Sequence, residues 1–541
     1  MPNSDDHTTQ QNPPVAPGPE AAPGSAPAPA ADRAEGPEGA LSRAQSRAIG
    51  EILSVYPVAA ELGHRFQQAG HRLALVGGSV RDALLGRLGN DLDFTTDARP
   101  EQILALIKPW ADAVWDVGIA FGTVGAQKKV RPADGDGPAR SFQIEITTYR
   151  SEAYDRESRK PEVSYGDSIE EDLVRRDFTV NAMALALPEV EFVDPHHGLD
   201  DLAAGVLRTP GTPEASFSDD PLRMMRAARF ASQLGFTVAP EVVRAMTEMS
   251  DRLRIVSAER VQAELNKLLL SDSPREGLRL LVDTGLADLI LPELPGLRLE
   301  RDEHHRHKDV YEHTLTVLEQ AIELEQGEPD LVLRLAALLH DIGKPKTRRF
   351  EPGGGVSFHH HEVVGAKMTR KRLRELKYSN EIVADVSRLV ELHLRFHGYG
   401  TGEWTDSAVR RYVRDAGPLL ERLHLLTRSD CTTRNKKKAQ ALSRSYDSLE
   451  ERIERLKEQE ELDAIRPDLD GNQIMEILGV GPGREVGEAY RHLLELRLEN
   501  GPMGEEAATA ALRDWWAGRQ ASGPEAPVSG DSVSGDSPSE G

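Results

Sequence analysis

The sequence predicts an α+β protein: a small mixed head, made of a β-sheet with helices, followed by a long all-α body. Two observations carry that prediction. Between about Arg43 and Leu187, short β-branched runs alternate with helical patterns, whereas after about Leu199 strand signals nearly vanish. Within the head, strands are expected at Leu73–Val76, Asp91–Thr95, Gly122–Gln127, Gln143–Thr148 and Thr179–Leu185. The segment Arg131–Arg140, rich in Gly, Pro and Asp, lies between two of these and predicts a hairpin excursion. In the body, apolar residues at helical spacing predict helices over Pro221–Leu234, Ala258–Leu270 and Pro274–Thr284. Farther on, Glu450–Glu461 alternates charge and predicts an exposed helix, while Gly471–Leu478 and Val486–Leu498 complete a helical tail region.

A chain of 541 residues suggests three or four domains at roughly 150 residues each. Composition shifts divide it into a Pro/Ala-rich arm at 1–40, the head at 41–187 and a helical neck at 188–300. A second helical unit at 301–432, a helical body and tail at 433–520 and a polar tail at 521–541 follow. Both ends lack apolar periodicity and are expected to be disordered. The formal charge is −23, which argues against general adhesion to nucleic acid through a uniformly basic surface. Residues 1–40 carry −5 of it and residues 521–541 carry −4, so −14 remains for the rest and a local basic groove is compatible with it. No run approaches the ~20 apolar residues of a membrane helix, so no membrane partner is expected. The first residues are acids and prolines and do not resemble a secretion signal. A single cysteine, Cys431, excludes an internal disulfide framework and fits a cytoplasmic location.

Three features of the head carry chemistry. In Leu75-Val76-Gly77-Gly78-Ser79-Val80-Arg81-Asp82 a strand ends in two glycines and a helix opens. Gly77 and Gly78 permit close approach of a ligand to the backbone, helix-start amides favour anions, and Arg81 can add a phosphate contact. A plain turn is the alternative. In Asp91-Leu92-Asp93-Phe94, strand alternation puts Asp91 and Asp93 on one face, where they repel unless a cation such as Mg2+ lies between them. A solvated edge strand would look the same. Glu145 alternates with Phe142, Ile144 and Ile146, so it faces away from them and can complete a three-carboxylate site or form an ordinary salt bridge.

Taken together, Gly77-Gly78-Ser79-Val80-Arg81-Asp82 and Asp91-Leu92-Asp93-Phe94 resemble the head motif of the nucleotidyltransferase superfamily. More narrowly they resemble the class II CCA-adding enzyme and bacterial poly(A) polymerase family. Arg175-Arg176-Asp177-Phe178-Thr179-Val180-Asn181-Ala182 resembles the ribose-selecting segment of that family. Ser218-Asp219-Asp220-Pro221-Leu222-Arg223-Met224-Met225-Arg226, continuing to Arg229 and Phe230, resembles its nucleotide-template helix in the neck. The resemblance implies that Asp91, Asp93 and Glu145 hold catalytic Mg2+ and that an RNA 3′-hydroxyl attacks an α-phosphate. It further implies Asp177 at the ribose 2′-hydroxyl, Arg176 at phosphate, Asn181 bracing that loop, and Asp220 with Arg223 reading C and A. Arg226 and Arg229 continue the same face toward the triphosphate. An i,i+3 surface pair between Asp220 and Arg223 is the bland alternative. Asp219 stands where the family commonly has Glu, which leaves the role of that position open.

In the second helical unit, His313, His340-Asp341, His361-Glu362, His393 and Asp430 resemble the HD phosphohydrolase pattern, around Leu338-Leu339-His340-Asp341-Ile342-Gly343-Lys344. By resemblance His313, His340, Asp341 and Asp430 bind one divalent metal of unspecified identity, and His361 and His393 support a second. The tract His304-His305-Arg306-His307 is left outside this site. Basic clusters at Arg410, Arg411 and Arg414, and at Arg428, Arg434, Lys436, Lys437 and Lys438, are candidates for contact with tRNA phosphates, or else solvated helix faces.

The leading expectation is therefore an enzyme that adds or repairs the 3′-terminal CCA of tRNA from CTP and ATP. A poly(A) polymerase or A-only adding enzyme on the same fold is the nearest alternative. From other classes come an HD phosphohydrolase with an RNA-binding head and a non-catalytic RNA scaffold. The motifs set no oligomeric state.

Overall fold

The computed structural model describes Gly50 and residues 57–522, apart from short stretches of which 132–138, 151–164, 299–308 and 461–465 are the longest. The arm at 1–40, the hairpin tip, the tract His304–His307 and Arg434 lie outside the described residues, as does the tail at 521–541 beyond Ser522.

The head opens with α1 (Pro57–Gln68), whose Val58, Leu62 and Phe66 recur at helical spacing and are buried. Next come β1 (Leu73–Val76), α2 (Gly78–Leu84), β2 (Asp91–Thr96), α3 (Pro100–Ile107), β3 (Ala113–Trp115), β4 (Thr123–Val130) and β5 (Arg140–Thr148). They are followed by α4 (Ile169–Val174), β6 (Ala184–Leu187) and β7 (Glu191–Val193). One sheet runs β3-β4-β5-β2-β1-β6-β7, with β2 and β5 parallel and the other neighbours antiparallel. Alternation sorts its faces. Leu92, Phe94, Phe142, Ile144 and Ile146 enter the main core with α1 and α3, whereas Asp91, Asp93 and Glu145 point to the opposite face. On that face, Ala74 and Val76 of β1 pack with Leu173 of α4 and with Ala182 and Ala184. The chain that follows α4, Arg175-Arg176-Asp177, is thereby held beside the carboxylates.

The neck comprises α5 (Gly198–Ala204), β8 (Val206–Leu207), α6 (Pro213–Asp219), α7 (Leu222–Leu234), β9 (Thr237–Val238), α8 (Pro240–Met249), α9 (Ala258–Leu269), α10 (Pro274–Asp283) and α11 (Leu286–Ile290). Ser257 caps α9 through the Arg260 N–H, and Val261, Leu265 and Leu268 give that helix its buried stripe. The second helical unit holds α12 (Val310–Leu324), α13 (Leu331–Leu339), α14 (Lys344–Thr347), a hairpin of β10 (Arg349–Phe350) and β11 (Val356–Ser357), α15 (His361–Glu375), α16 (Asn380–Leu392), α17 (Asp406–Ala416) and α18 (Leu420–Ser429). Arg275 of α10 reaches Glu312, Thr316 and Glu319 of α12. Buried Arg334 of α13 donates to the carbonyls of Leu269 and Ser271 and to Glu325. Neck and second unit therefore share one core. The long α19 (Lys436–Glu460) still contributes to it, but α20 (Gly471–Leu478), α21 (Arg484–Asn500) and α22 (Glu505–Ser522) close around a separate small core.

Four expectations need correction. Thr179–Leu185 is not one strand: Thr179–Asn181 forms a 3-10 turn and only Ala184–Leu187 pairs in the sheet. The sheet also continues past residue 187 through β7, because Phe192 and its neighbours pair with β6. Of the expected helix Glu450–Glu461, the part up to Glu460 is described and is not exposed all round, since Leu449, Ile453 and Leu456 are buried beneath its charged face. Finally, the Arg410 cluster is engaged within the protein. Arg410 is buried and donates to the Leu498 carbonyl, while Arg411 and Arg414 pair with carboxylates of α21 or with Asp415. In the second cluster Arg428 pairs with Asp447 and Glu450, whereas Lys436, Lys437 and Lys438 are exposed.

Candidate active sites in the head and the helical unit

The head site is built on the parallel register of β2 and β5, which sets Asp93 opposite Glu145, with Asp91 two residues away on the same face. Ser79, near the start of α2, donates to the Asp91 carbonyl and accepts from the Asp93 N–H, so the glycine turn and the carboxylate strand are locked together. Gly77 has φ +68°, and a Cβ there would lie 2.9 Å from an Arg176 guanidinium nitrogen. Only glycine fits that turn without moving Arg176. Protein crowding pushes the Asp93 pKa up despite the pull of Arg176, and the Glu145 and Asp91 charges add to the rise. A cation between these carboxylates would relieve that repulsion. Among the described residues the three carboxylates are not grouped within 4.8 Å of one another.

Around this face the other expected residues separate into two sets. Asp177 is buried, accepts from the Phe178 N–H and the Asn181 amide, and lies 2.8 Å from the Arg226 guanidinium. Burial would raise its pKa, but Arg226, Asn181, Arg223 and the Phe178 N–H outweigh burial and lower it. The Asn181 amide thus ties the turn at Thr179–Asn181 back to Asp177. Arg176 is partly open, pairs with Asp172 and faces Asp93. Arg81 and Arg229, by contrast, are committed internally. Arg81 makes a forked contact to Asp82 and donates to Asn181, while Arg229 pairs with Glu264 and stacks on Phe230. Asp220 and Arg223 do not pair with each other. Asp220 accepts from the Leu222 N–H and pairs with Arg260, and Arg223 donates to Ser216 and to the Arg175 carbonyl. Arg260 was not singled out by the sequence, because its distance of forty residues from Asp220 leaves no local signal.

In the second unit the six expected residues converge. His340, His393 and Asp430 stand at the C-terminal ends of α13, α16 and α18, and His361 begins α15. Helix ends, rather than helix faces, make the site. Nδ1 of His340, His361 and His393 lies 2.7–2.8 Å from the carbonyl three residues earlier in each case. With Nδ1 engaged, Nε2 is left to face the centre. His313 is held through Nδ1 by Thr432, and its Nε2 lies 3.0 Å from Asp430 and 3.5 Å from Asp341. Asp341 offers one oxygen 3.2 Å from His340 and the other 3.2 Å from His361, so it stands between two groups of donors. One group is His313, His340 and Asp430; the other is Asp341, His361 and His393.

The donor set suits a divalent metal. Nε2 of both His340 and His361 is buried and stands 3.2 Å from an Asp341 oxygen without hydrogen-bond alignment, an arrangement that suits a cation bound between the imidazole and the carboxylate. Burial and the neighbouring His340 push His393 down to about 3, which keeps that imidazole neutral and able to ligate. Burial alone would raise Asp341, but His340, His361 and Lys344 hold it well below the usual carboxylate range. Gly343 makes the close approach possible, since a Cβ there would lie 2.1 Å from the His361 carbonyl. The centre opens into a cavity of about 720 Å³ whose wall includes Lys344, Phe358, His359 and His360. Thr432 and the orienting carbonyls carried no sequence signal, because a carbonyl is present at every residue.

Three known families match the chain in succession. Residues 73–208 match the poly A polymerase head domain, 235–297 the probable RNA and SrmB-binding site of polymerase A, and 310–435 the HD domain. The chain is 35% identical to an A-adding tRNA nucleotidyltransferase of Deinococcus radiodurans, over 82% of this chain and 95% of that protein. It is 43% identical to a CCA-adding enzyme of Levilactobacillus brevis, over 41% of this chain and 52% of that one. Its fold resembles the crystal structure of the Bacillus stearothermophilus CCA-adding enzyme in complex with CTP, with TM-score 0.60 and 24% identity, covering 89% of this chain and all of that one. No helix among the described residues is long and apolar enough to cross a membrane. The chain belongs to the class II family of CCA-adding and A-adding tRNA nucleotidyltransferases, in the branch that carries an HD domain.

Proposed function

We propose that this protein is a template-independent nucleotidyltransferase that adds or repairs the 3′-terminal CCA of tRNA, using CTP and ATP and releasing pyrophosphate, and that its HD unit hydrolyses phosphate esters. The observation that carries the first half is the pairing of Asp93 with Glu145 across β2 and β5, with Asp91 on the same face and Arg176 beside them. Asp91, Asp93 and Glu145 would hold Mg2+, which when bound lowers the pKa of an attacking hydroxyl and neutralises the triphosphate. The chain's own groups then position. Arg176 would meet phosphate and Asp177 the ribose 2′-hydroxyl. Arg223 and Asp220 present a donor fork and an acceptor toward the base once Ser216 and Arg260 release them. Arg81 and Arg229 act as braces of the loop and of α7, respectively. We assign 301–432 to the HD unit, where His313, His340, Asp341, His361, His393 and Asp430 would bind one or two divalent ions. A cytoplasmic location suits a tRNA substrate.

The test is a tRNA ending at its discriminator base, incubated with labelled CTP alone and then with CTP and ATP. Two cytidines followed by one adenosine are expected. A second reading, addition of the terminal A alone, is favoured by the A-adding relative that spans nearly its whole length with this chain. In that case CTP is not incorporated, and only a tRNA ending in CC is extended, with ATP.

A further inference from the structure

The registers of the head sheet set four positions side by side on the carboxylate face: Trp115 of β3, Gly125 of β4, Glu145 of β5 and Asp93 of β2. Neighbouring strands stand about 4.8 Å apart, so Gly125 is one strand from Glu145 and about 10 Å from Asp93. Gly125 has no side chain to fill its place in that row, and the indole of Trp115 fills it. A Cβ at Gly125 would overlap the ring nitrogen and the two carbons bonded to it. A strand glycine of this kind marks a close approach, here by the N–H edge of the ring, which leads from β3 in the direction of Glu145. Trp115 is only half-buried, and its indole N–H makes no hydrogen bond with a described residue. Farther along β4, Gln127 and Lys129 share the carboxylate face, since Val124 and Ala126 enter the core. Gln127 is tied to Ser141, whereas Lys129 is exposed and its ammonium pairs with no described carboxylate.

Trp115 and Lys129 lie to one side of the carboxylates. Arg176, the Gly77 turn and α7 lie to the other, where α4 packs on β1. An oxygen that bonds to the α-phosphorus as pyrophosphate departs must arrive in line with the leaving group and opposite to it. With the pyrophosphate toward Arg176, the RNA 3′-hydroxyl therefore enters over β5 and β4. A half-open aromatic ring and an unpaired cation on that side match the end of a single strand, which offers a base to stack and a phosphate to neutralise. We infer that Trp115 and Lys129 form the seat of the acceptor RNA's 3′ end, Trp115 against the terminal nucleotide and Lys129 against a preceding phosphate. The inference rests on the nucleotidyltransferase reading of the head, and the experiment separates the two.

The full-length protein is given a tRNA ending in CC together with ATP, a substrate pair that CCA addition and A-only addition share. Trp115→Ala is expected to raise KM for this tRNA about tenfold, through one lost stacking contact, and to leave KM for ATP unaltered. Trp115→Leu still covers Gly125 but has no ring, and should match Trp115→Ala; Trp115→Phe should recover most of the loss. Binding is read separately in EDTA without ATP, on the same tRNA carrying 2-aminopurine as its last base. Wild type should quench its fluorescence, and Trp115→Leu should quench it less. Lys129→Gln, a change at an exposed side chain, should lower the slope of log Kd against log salt by about 0.7. Wild-type KM and quenching in Trp115→Leu would make the ring a packing group over Gly125 and overturn the seat, as would KM values for tRNA and ATP that rise together. An unaltered salt slope in Lys129→Gln would remove Lys129 from it. No adenosine added by wild type, with quenching still dependent on Trp115, would overturn the nucleotidyltransferase reading and leave the seat standing.

Discussion

Arg229 and Asp177 show how burial decides what a charged residue in this head can do. Arg229 is almost fully enclosed and its guanidinium lies on Glu264 and over Phe230, so its charge serves the α7–α9 contact. Arg229→Met alone is expected to destabilise the protein by about 3 kcal/mol, because buried Glu264 then keeps only the distant, exposed Lys267 at 4.0 Å. Adding Glu264→Leu should recover most of it, as thermal melts of the two variants would show; equal losses in both would contradict the assignment. Asp177 gives a pH dependence. Its folded pKa lies below the unfolded value of about 3.9, so its contribution is present above that value and is lost as pH falls through the folded pKa. Asp177→Asn should therefore lie about 2 kcal/mol below wild type near pH 7, and the gap should shrink below about pH 4. A gap that is constant across pH would mean that the charge of Asp177 is not what matters. Sequence alone identified both side chains but could not separate brace from ligand. Their partners, Glu264 and Arg226, are chosen by helix packing and not by local spacing.

Elements were legible wherever one face had a periodic apolar pattern. The alternation of Phe142, Ile144 and Ile146 was enough to turn Glu145 toward Asp93, and the structure places them in register. Where that pattern was weak, reading failed: Thr179–Asn181 has the β-branched residues of a strand, yet the Asn181 N–H returns to the Phe178 carbonyl and the chain turns. Helix faces misled in a different way. Arg410, Arg411 and Arg414 form a basic stripe in sequence, but α21 brings Glu495 and Glu499 to it, so the stripe is neutralised before any RNA arrives. At the first turn of α19, Lys436, Lys437 and Lys438 remain exposed where the helix dipole disfavours cations, a placement that an anionic partner would compensate. Changing all three lysines to Gln should lower the slope of log Kd against log salt for tRNA by up to about 2–3. Arg411→Gln should leave it unaltered. The reverse result in a salt-titrated binding assay would return the RNA contact to α17.

At the scale of the whole molecule, two metal-suited centres of different character share one core. The head centre is three carboxylates on an open sheet face, while the HD centre is four histidines and two aspartates at helix ends. Carboxylates alone favour Mg2+, which keeps waters and substrate oxygens in its shell, whereas imidazole nitrogens favour transition metals. The two centres should therefore be separable by mutation and by metal. Asp91→Ala with Asp93→Ala is expected to reduce nucleotide addition by on the order of 10³ or more and to spare hydrolysis of a phosphate ester. His340→Ala with Asp341→Ala should do the opposite. The Asp91 and Asp93 pair should melt close to wild type in the absence of metal, because it removes charges that repel there, whereas His340→Ala with Asp341→Ala leaves a cavity and strips Lys344 and His361 of their carboxylate, so it should melt lower. The sharpest arm is cross-loading. Metal-free protein given Mg2+ alone should recover addition without full hydrolysis, and Mn2+ or Co2+ should restore hydrolysis. If Asp91→Ala with Asp93→Ala also abolished hydrolysis while the fold was intact, the shared core would have to transmit between the centres. Arg275, which joins α10 of the neck to α12 beside His313, would then be the first contact to test.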